Sequence, residues 1–178
     1  MSLRPLLEQE KNLRPDWISK PFVPGLAETF VVDRQGSFDR ITRSLLEKWG
    51  VPEERVEKEA LEWFTVFVDP LKFRVFRKDE KESSPKVAHP DLHGIYTASL
   101  IFLPSFQEGL RKIFGTWEGI LVAIPSQKTC WVLRSSEKKI REKLRKELLQ
   151  EYENSAHPLL NRYLATKAGG GYELGPPY

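Results

Sequence analysis

Two histidines bracket Pro90-Asp91-Leu92 in the segment His89 to His93. If Pro90 began a helical turn, both imidazoles would lie on one side, as in the first half of a zinc site. No third and fourth ligand is spaced to complete such a site, so residues 89–93 read as a loop and no metal is expected. Cys130 offers a nucleophile if the fold brings His157 to it. Its neighbours Thr129, Trp131 and Val132 instead place the thiol within a strand, where apolar burial raises its pKa and leaves it inert. Ser126 follows Pro125 in a tight turn but lacks the glycine-flanked elbow that exposes a catalytic serine, so it reads as turn-forming. Lys72, Arg74, Phe76 and Lys78 alternate along one stretch, offering charges for phosphates and a ring for a base, the combination that binds single strands. The same pattern also describes an edge strand guarded by cations against edge-to-edge association. Asp33 and Arg40 would face each other across a hairpin as a polar pair. There is no Gly-rich phosphate loop, dinucleotide fingerprint or paired-carboxylate metal motif, so no catalytic residue and no cofactor is assigned.

The bulk properties narrow the classes further. Twenty-eight Lys and Arg against 25 Asp and Glu leave a net charge of +3, with the signs interspersed. So small and mixed a surplus weighs against nucleic acid as a partner, and a protein partner or small ligand fits better. With 40% hydrophobic and 30% charged residues the chain belongs among soluble globular proteins. A lone cysteine excludes a disulfide framework, and no segment approaches the apolar length of a membrane span, so a cytoplasmic location is expected.

The elements that must position these residues can be taken in order. Residues 1–25 carry Pro5, Pro15, Pro21 and Pro24, which permit at most a short helix around Leu6 to Leu13 and suggest an arm laid on the body. Thr29 to Asp33 and Phe38 to Ile41 form a hairpin turning at Gly36, although Phe38, Ile41, Leu45 and Trp49 also fit helical spacing. Thr42 caps a short helix ended by Gly50, and Pro52 opens a longer one whose apolar face is Val56, Ala60, Trp63, Phe64 and Phe67. Leu71 to Lys78 is a half-buried strand, followed by a charged loop over Asp79 to His89. The apolar run Ile95 to Leu103 predicts an interior strand. Ser105 to Glu108 has the form of a capping box for a helix ending at Gly115. Gly119 to Ile124 and Thr129 to Leu133 are two strands that so short a link forces to be antiparallel. A long helix starts at Ser135 or Ser136 and runs to about Asn154, with Glu137–Arg141 and Glu142–Lys146 paired one turn apart. A last small hairpin turns at Gly169 to Gly171, with residues 176–178 frayed.

Several of these segments, taken in order, resemble the YtpQ-like family, bacterial proteins with no assigned activity. They are Val31-Val32-Asp33 with Ile41-Thr42, Trp49-Gly50 before Glu59-Ala60-Leu61, Tyr96-Thr97-Ala98-Ser99-Leu100, Val122-Ala123-Ile124-Pro125-Ser126, and His157-Pro158-Leu159. The likeness extends from about Ala27 to Leu174. It departs at Trp63-Phe64, where the family pattern has an Asn-Leu pair, and at Gln127-Lys128, where it has Arg-Asp. The resemblance implies no activity that could be carried over.

The expected fold is α+β, a single domain over 26–175 with a mainly antiparallel sheet covered by three or four helices. The expected function is a soluble intracellular binding or accessory module without catalytic activity. The alternatives are a hydrolase with residues from scattered strand ends and a single-strand nucleic-acid binder using the Lys72 to Lys78 face. Tyr96, Ser99 and Ser126 are the polar positions on the rims of the central stretch, and Asp33, Arg40, Lys72, Arg74 and Phe76 complete the candidate binding residues.

Overall fold

Thr29 to Val32 concentrates β-branched and aromatic residues, and the strand they favour, β3 (Leu26–Asp33), is buried along nearly its whole length. The computed structural model, which describes residues 2–34, 37–77, 85–92 and 94–178, divides the chain into two compact units, Met1–Asp69 and Pro70–Tyr178, where one body with an arm was expected. In the first unit β3 has β1 (Ser2–Gln9) on one side, in register from Ser2 opposite Asp33 to Gln9 opposite Leu26. On its other side lie β2 (Ser19–Val23) and β4 (Phe38–Arg40), all antiparallel. The expected arm and its short helix are therefore two strands of the sheet, with a 3₁₀ turn at Glu10–Asn12 between them. Proline misled the reading because Pro5 and Pro21 sit in strands with a single neighbour, where a missing N–H costs no ladder bond on the open side. The pairing of β3 with β4 agrees with the expected hairpin, whose turn at residues 35 and 36 lies outside the described residues.

Helix α1 (Arg43–Trp49) is capped by the Thr42 hydroxyl, which accepts from the Leu45 N–H at 3.2 Å. It stops at Gly50, whose φ of 65° suits a residue without Cβ. Helix α2 (Glu53–Val68) buries Val56, Ala60, Phe64 and Val68. Val56 and Ala60 pack with Phe30, Val32, Ile41 and Leu46 in the core of this unit. Trp63 and Phe67, expected on the buried face, are about half exposed. Phe67 lies beneath the Arg4 guanidinium, 3.4 Å from its ring centre, so part of the ring's apolar surface is covered by a cation instead of the core.

The second unit is built on a six-stranded antiparallel sheet. Its strands are β5 (Phe73–Phe76), β6 (Val87–Pro90), β7 (Ile120–Ala123), β8 (Trp131–Arg134), β9 (Arg162–Thr166) and β10 (Tyr172–Pro177), in the order β10-β9-β7-β8-β6-β5. β7 and β8 pair over Ile120–Ala123, as the short link requires, whereas β6 joins β8 only through Val87 opposite Leu133 and Ala88 opposite Val132. Helix α4 (Lys138–Asn154) lies over one face, where Leu144, Leu148 and Ile140 pack with Leu121, Leu133 and Tyr163. The other face meets helix α3 (Pro104–Phe114), with the rings of Phe73 and Phe106 5.7 Å apart. Gly109 lets the helix come this close, since a Cβ there would stand 2.6 Å from the Phe73 ring.

Several expectations fail in this unit. The charged loop drawn through His89 is one, since strand β6 already begins at Val87, where its pairing with β5 and β8 overrides the Pro and His signals. The run Ile95 to Leu103 is a turn followed by a 3₁₀ helix, Ala98–Phe102, instead of a strand. Being buried on every side, it carries no periodicity to tell the two apart. Ser105 does not cap α3, because Pro104 itself occupies the first helical turn and moves the boundary to Leu103. The last residues are not frayed: β10 reaches Pro177, and the buried Tyr178 ring meets Tyr163 edge-on at 4.9 Å. Taken together the described residues form an α+β fold with four α-helices and two antiparallel sheets, of four and six strands, in place of one sheet. No helix among them is long and apolar enough to cross a membrane.

Candidate functional site

Asp33 and Arg40 were expected to face each other, but the register sets Asp33 opposite Phe38 and Arg40 opposite Val31. Each is held by β1 instead. Arg4 Nε meets Asp33 at 2.8 Å, and Arg40 Nη2 donates to Glu8 Oε2 at 2.6 Å. Arg40 Nη1 also donates to the Thr29 hydroxyl at 2.6 Å, and its guanidinium lies 4.5 Å from the Trp17 ring centre. With Glu8 and Arg40 nearly buried, every charge here is spoken for, and the network ties β1, β3 and β4 together. Glu28, on the opposite face of β3, is different. It is buried with Oε1 lacking a hydrogen-bond partner among the described residues, while its neighbours Lys20 and Glu57 pair with each other at 2.7 Å. Burial first, then the Glu57 charge, push its carboxyl up to about 7, with Lys20 opposing.

In the second unit Arg74 and Phe76 project from the same face of the edge strand β5, in line with the alternation expected from sequence. Arg74 is paired with Asp91 at 2.8 Å, and Asp91 N–H donates to the Lys72 carbonyl at 2.8 Å. Phe76 is half exposed and lies 6.1 Å from the Trp131 ring. A cleft of about 380 Å³ opens beside it, lined by Arg77, Lys86, Lys139 and Lys143 together with Ile140 and the acid Glu137, which lies 3.5 Å from Lys86. Lys78 lies outside the described residues, as does His93 of the histidine pair; His89 packs its ring edge-on against Trp131 at 4.8 Å. Among the described residues no three His, Cys, Asp or Glu side chains are grouped to hold a metal.

Ser126 is a buried sequence candidate that lies next to a cavity without lining it, its neighbours Gln127 and Lys128 forming part of the wall. The link between β7 and β8 is pinned on two sides: Gln127 O accepts from Ala98 N–H at 3.1 Å, and Gln127 N–H donates to His157 O at 3.4 Å. The Ser126 hydroxyl donates to Glu151 Oε1 at 2.6 Å, and the same carboxylate oxygen receives the Thr129 hydroxyl at 3.2 Å. Beside this knot lies a cleft of about 530 Å³, lined by Gln127, Lys128, Glu147, Gln150, Glu151 and Asn154 and closed by Ser155 to His157. Amide, carboxylate, ammonium and imidazole groups thus converge on one space of ligand size. Tyr96 and Ser99 are buried beside the turn, on either side of Ala98, and do not line the cleft. Ser99 is wholly buried, and its hydroxyl has no hydrogen-bond partner among the described residues.

The carboxylates and amides of the last turns of α4 were missed, since charges on a helix read as a solvated face. A signal did exist in the sequence: Lys and Arg crowd α4 up to Lys146, and acids take over from Glu147. The other proposed nucleophile, Cys130, is completely buried, and burial pushes its thiol far above the usual range. No family model, curated protein or solved structure matches the chain.

Proposed function

We propose that the chain is a soluble intracellular binding module without catalytic activity, whose second unit receives a small polar molecule in the cleft beside Ser126. The observation that carries this reading is the 530 Å³ cleft onto which Gln127, Lys128, Glu147, Gln150, Asn154 and His157 bring hydrogen-bonding groups, its wall being part polar and part apolar. A ligand with both donors and acceptors would match Glu147, Gln150, Glu151 and Asn154 along α4 and Gln127 and Lys128 of the link between β7 and β8. Ser126 and Cys130 support binding over nucleophilic chemistry: one hydroxyl is committed to Glu151 and one thiol is buried in its neutral form. Kinship with the YtpQ-like family is part of the same proposal and rests on the order of the shared segments. Titrating the labelled protein with a panel of polar metabolites tests it. Saturable amide shifts confined to Gln127, Lys128 and residues 147–157, lost in Gln150→Ala with Asn154→Ala, are expected. A panel that leaves these amides unmoved, or hydrolysis of an ester or phosphoester by the purified protein, would overturn it.

A second reading is favoured by the cleft at β5, where the half-exposed Phe76 stands among Arg77, Lys139 and Lys143, with Lys86 paired to Glu137. Single-stranded nucleic acid could stack a base on Phe76 and lay phosphates along those cations. Binding at low salt that falls steeply as salt rises, and disappears in Lys139→Glu with Lys143→Glu, is its expected mark. Binding unchanged by those substitutions would rule out this surface.

A further inference from the structure

The first half of α4 carries Lys138, Lys139, Arg141, Lys143, Arg145 and Lys146 against the single acid Glu142, and no Lys or Arg follows up to Asn154. That order opposes the helix dipole, which favours acids near the N-terminus and bases near the C-terminus. Helix stability does not account for it. On the side of α4 facing β9 and β10 a small cleft of about 200 Å³ is lined by Lys138, Arg141, Glu142 and Arg145 and walled by Tyr163 and Tyr178. Among the described residues three of its lining side chains, Arg141, Tyr163 and Tyr178, have a buried polar atom without a hydrogen-bond partner. Glu137, the expected mate of Arg141, lies 3.5 Å from Lys86 instead, and Arg141 Nε is buried with no hydrogen bond among the described residues. Tyr163 is 1% exposed, and its hydroxyl is likewise buried without a partner among the described residues. The Arg141 charge is near enough to that phenol to oppose the upward push of burial on its pKa. Buried donors without acceptors cost free energy in the empty state and repay it when an acceptor arrives. Arg145 Nε fixes the far wall by donating to Tyr178 O at 3.0 Å.

We propose that this cleft binds the phosphoryl end of a small phosphorylated molecule, with Arg141 and the Tyr163 hydroxyl as donors and Lys138 and Arg145 supplying the field. Three cations against Glu142 leave a surplus of two positive charges, which matches a phosphomonoester near its dianionic form. At about 200 Å³ the space is below the size of a whole-ligand pocket and suits a headgroup, with the remainder of the molecule outside. The site is separate from the cleft beside Ser126 and does not depend on it. The test is titration of the full chain with inorganic phosphate and with phenyl phosphate, at ionic strength held constant with chloride, followed by NMR of the Arg141 side chain and the β9 amides. Saturable shifts are expected, weakened roughly tenfold or more in Tyr163→Phe, which removes one hydrogen bond to a charged group and keeps the ring against Tyr178. Arg141→Gln should abolish them, with melting temperature confirming that both variants fold. Shifts no larger than those from chloride, or equal affinity in Tyr163→Phe and the parent, would overturn the assignment. So would binding to vesicles containing phosphatidic acid without any response to soluble phosphate, because the ligand would then be a membrane headgroup.

Discussion

Replacing Glu28 by Gln is expected to stabilise the first unit above neutral pH. The folded chain holds the Glu28 proton up to about pH 7, whereas the unfolded chain releases it near 4.5. Below the lower value both states are protonated and the residue exacts no penalty. Between the two values the unfolded chain loses its proton first, so stability falls as pH rises, and above the upper value the loss is complete. Its size follows from the displacement of the pKa, which already includes the opposing pull of Lys20, and is about 3 kcal/mol. Gln keeps the shape and removes the charge. For a unit of this size that corresponds to a rise on the order of 10 °C in its melting temperature at alkaline pH, shrinking towards zero below the unfolded value. Scanning calorimetry of both proteins across the window from acid to mildly alkaline pH measures it, and a carbon-detected titration of Glu28 reads the midpoint directly. If the two stability curves run parallel, or the variant is the less stable at alkaline pH, the buried carboxylate is not the cause.

Cys130 should resist alkylation in the native protein and label fully in denaturant, because its thiol is buried and held neutral; rapid native labelling would contradict this. Gly109→Ala, a change that ordinarily strengthens a helix, should here cost about 1–2 kcal/mol by urea unfolding, since the new methyl group strikes the Phe73 ring. Phe73→Leu in the same chain should recover most of that loss. Arg40→Met leaves the buried Glu8 without its cation and should cost about 3–5 kcal/mol, whereas Glu8→Met with Arg40→Met should be much milder; equal losses would mean that packing, not charge pairing, matters there.

Local chemistry was legible in the sequence wherever one residue decides the geometry. Thr42 and Gly50 bound α1, the short link sets β7 against β8, and Gly169 to Gly171 turns β9 into β10. Long-range pairing was not. The alternation in Ser2–Gln9 was masked by Pro5, and only the presence of β3 makes that segment a strand. The 3₁₀ turn at Ala98–Phe102 was hidden because total burial erases periodicity. Of the candidate site, Ser126 could be chosen as a polar turn residue, but its partner Glu151 is brought to it by the packing of α4, which no spacing announces. The same limit hid Arg4 as the partner of Asp33.

The six-stranded sheet is made of three pairs of strands that are neighbours in sequence, β5 with β6, β7 with β8 and β9 with β10. Two seams between distant segments join them, and the seam of β6 with β8 rests on two residue pairs against three for β7 with β9. Closing it also requires the chain through α3 to be ordered, which adds loop entropy without adding ladder bonds. The second unit should therefore open first along that line, with β5 and β6 leaving together while β7 to β10 stay paired. In native-state hydrogen exchange the amides of Val87 and Ala88 would report a smaller opening free energy than those of Leu121 and Val122, although all four residues are almost fully buried.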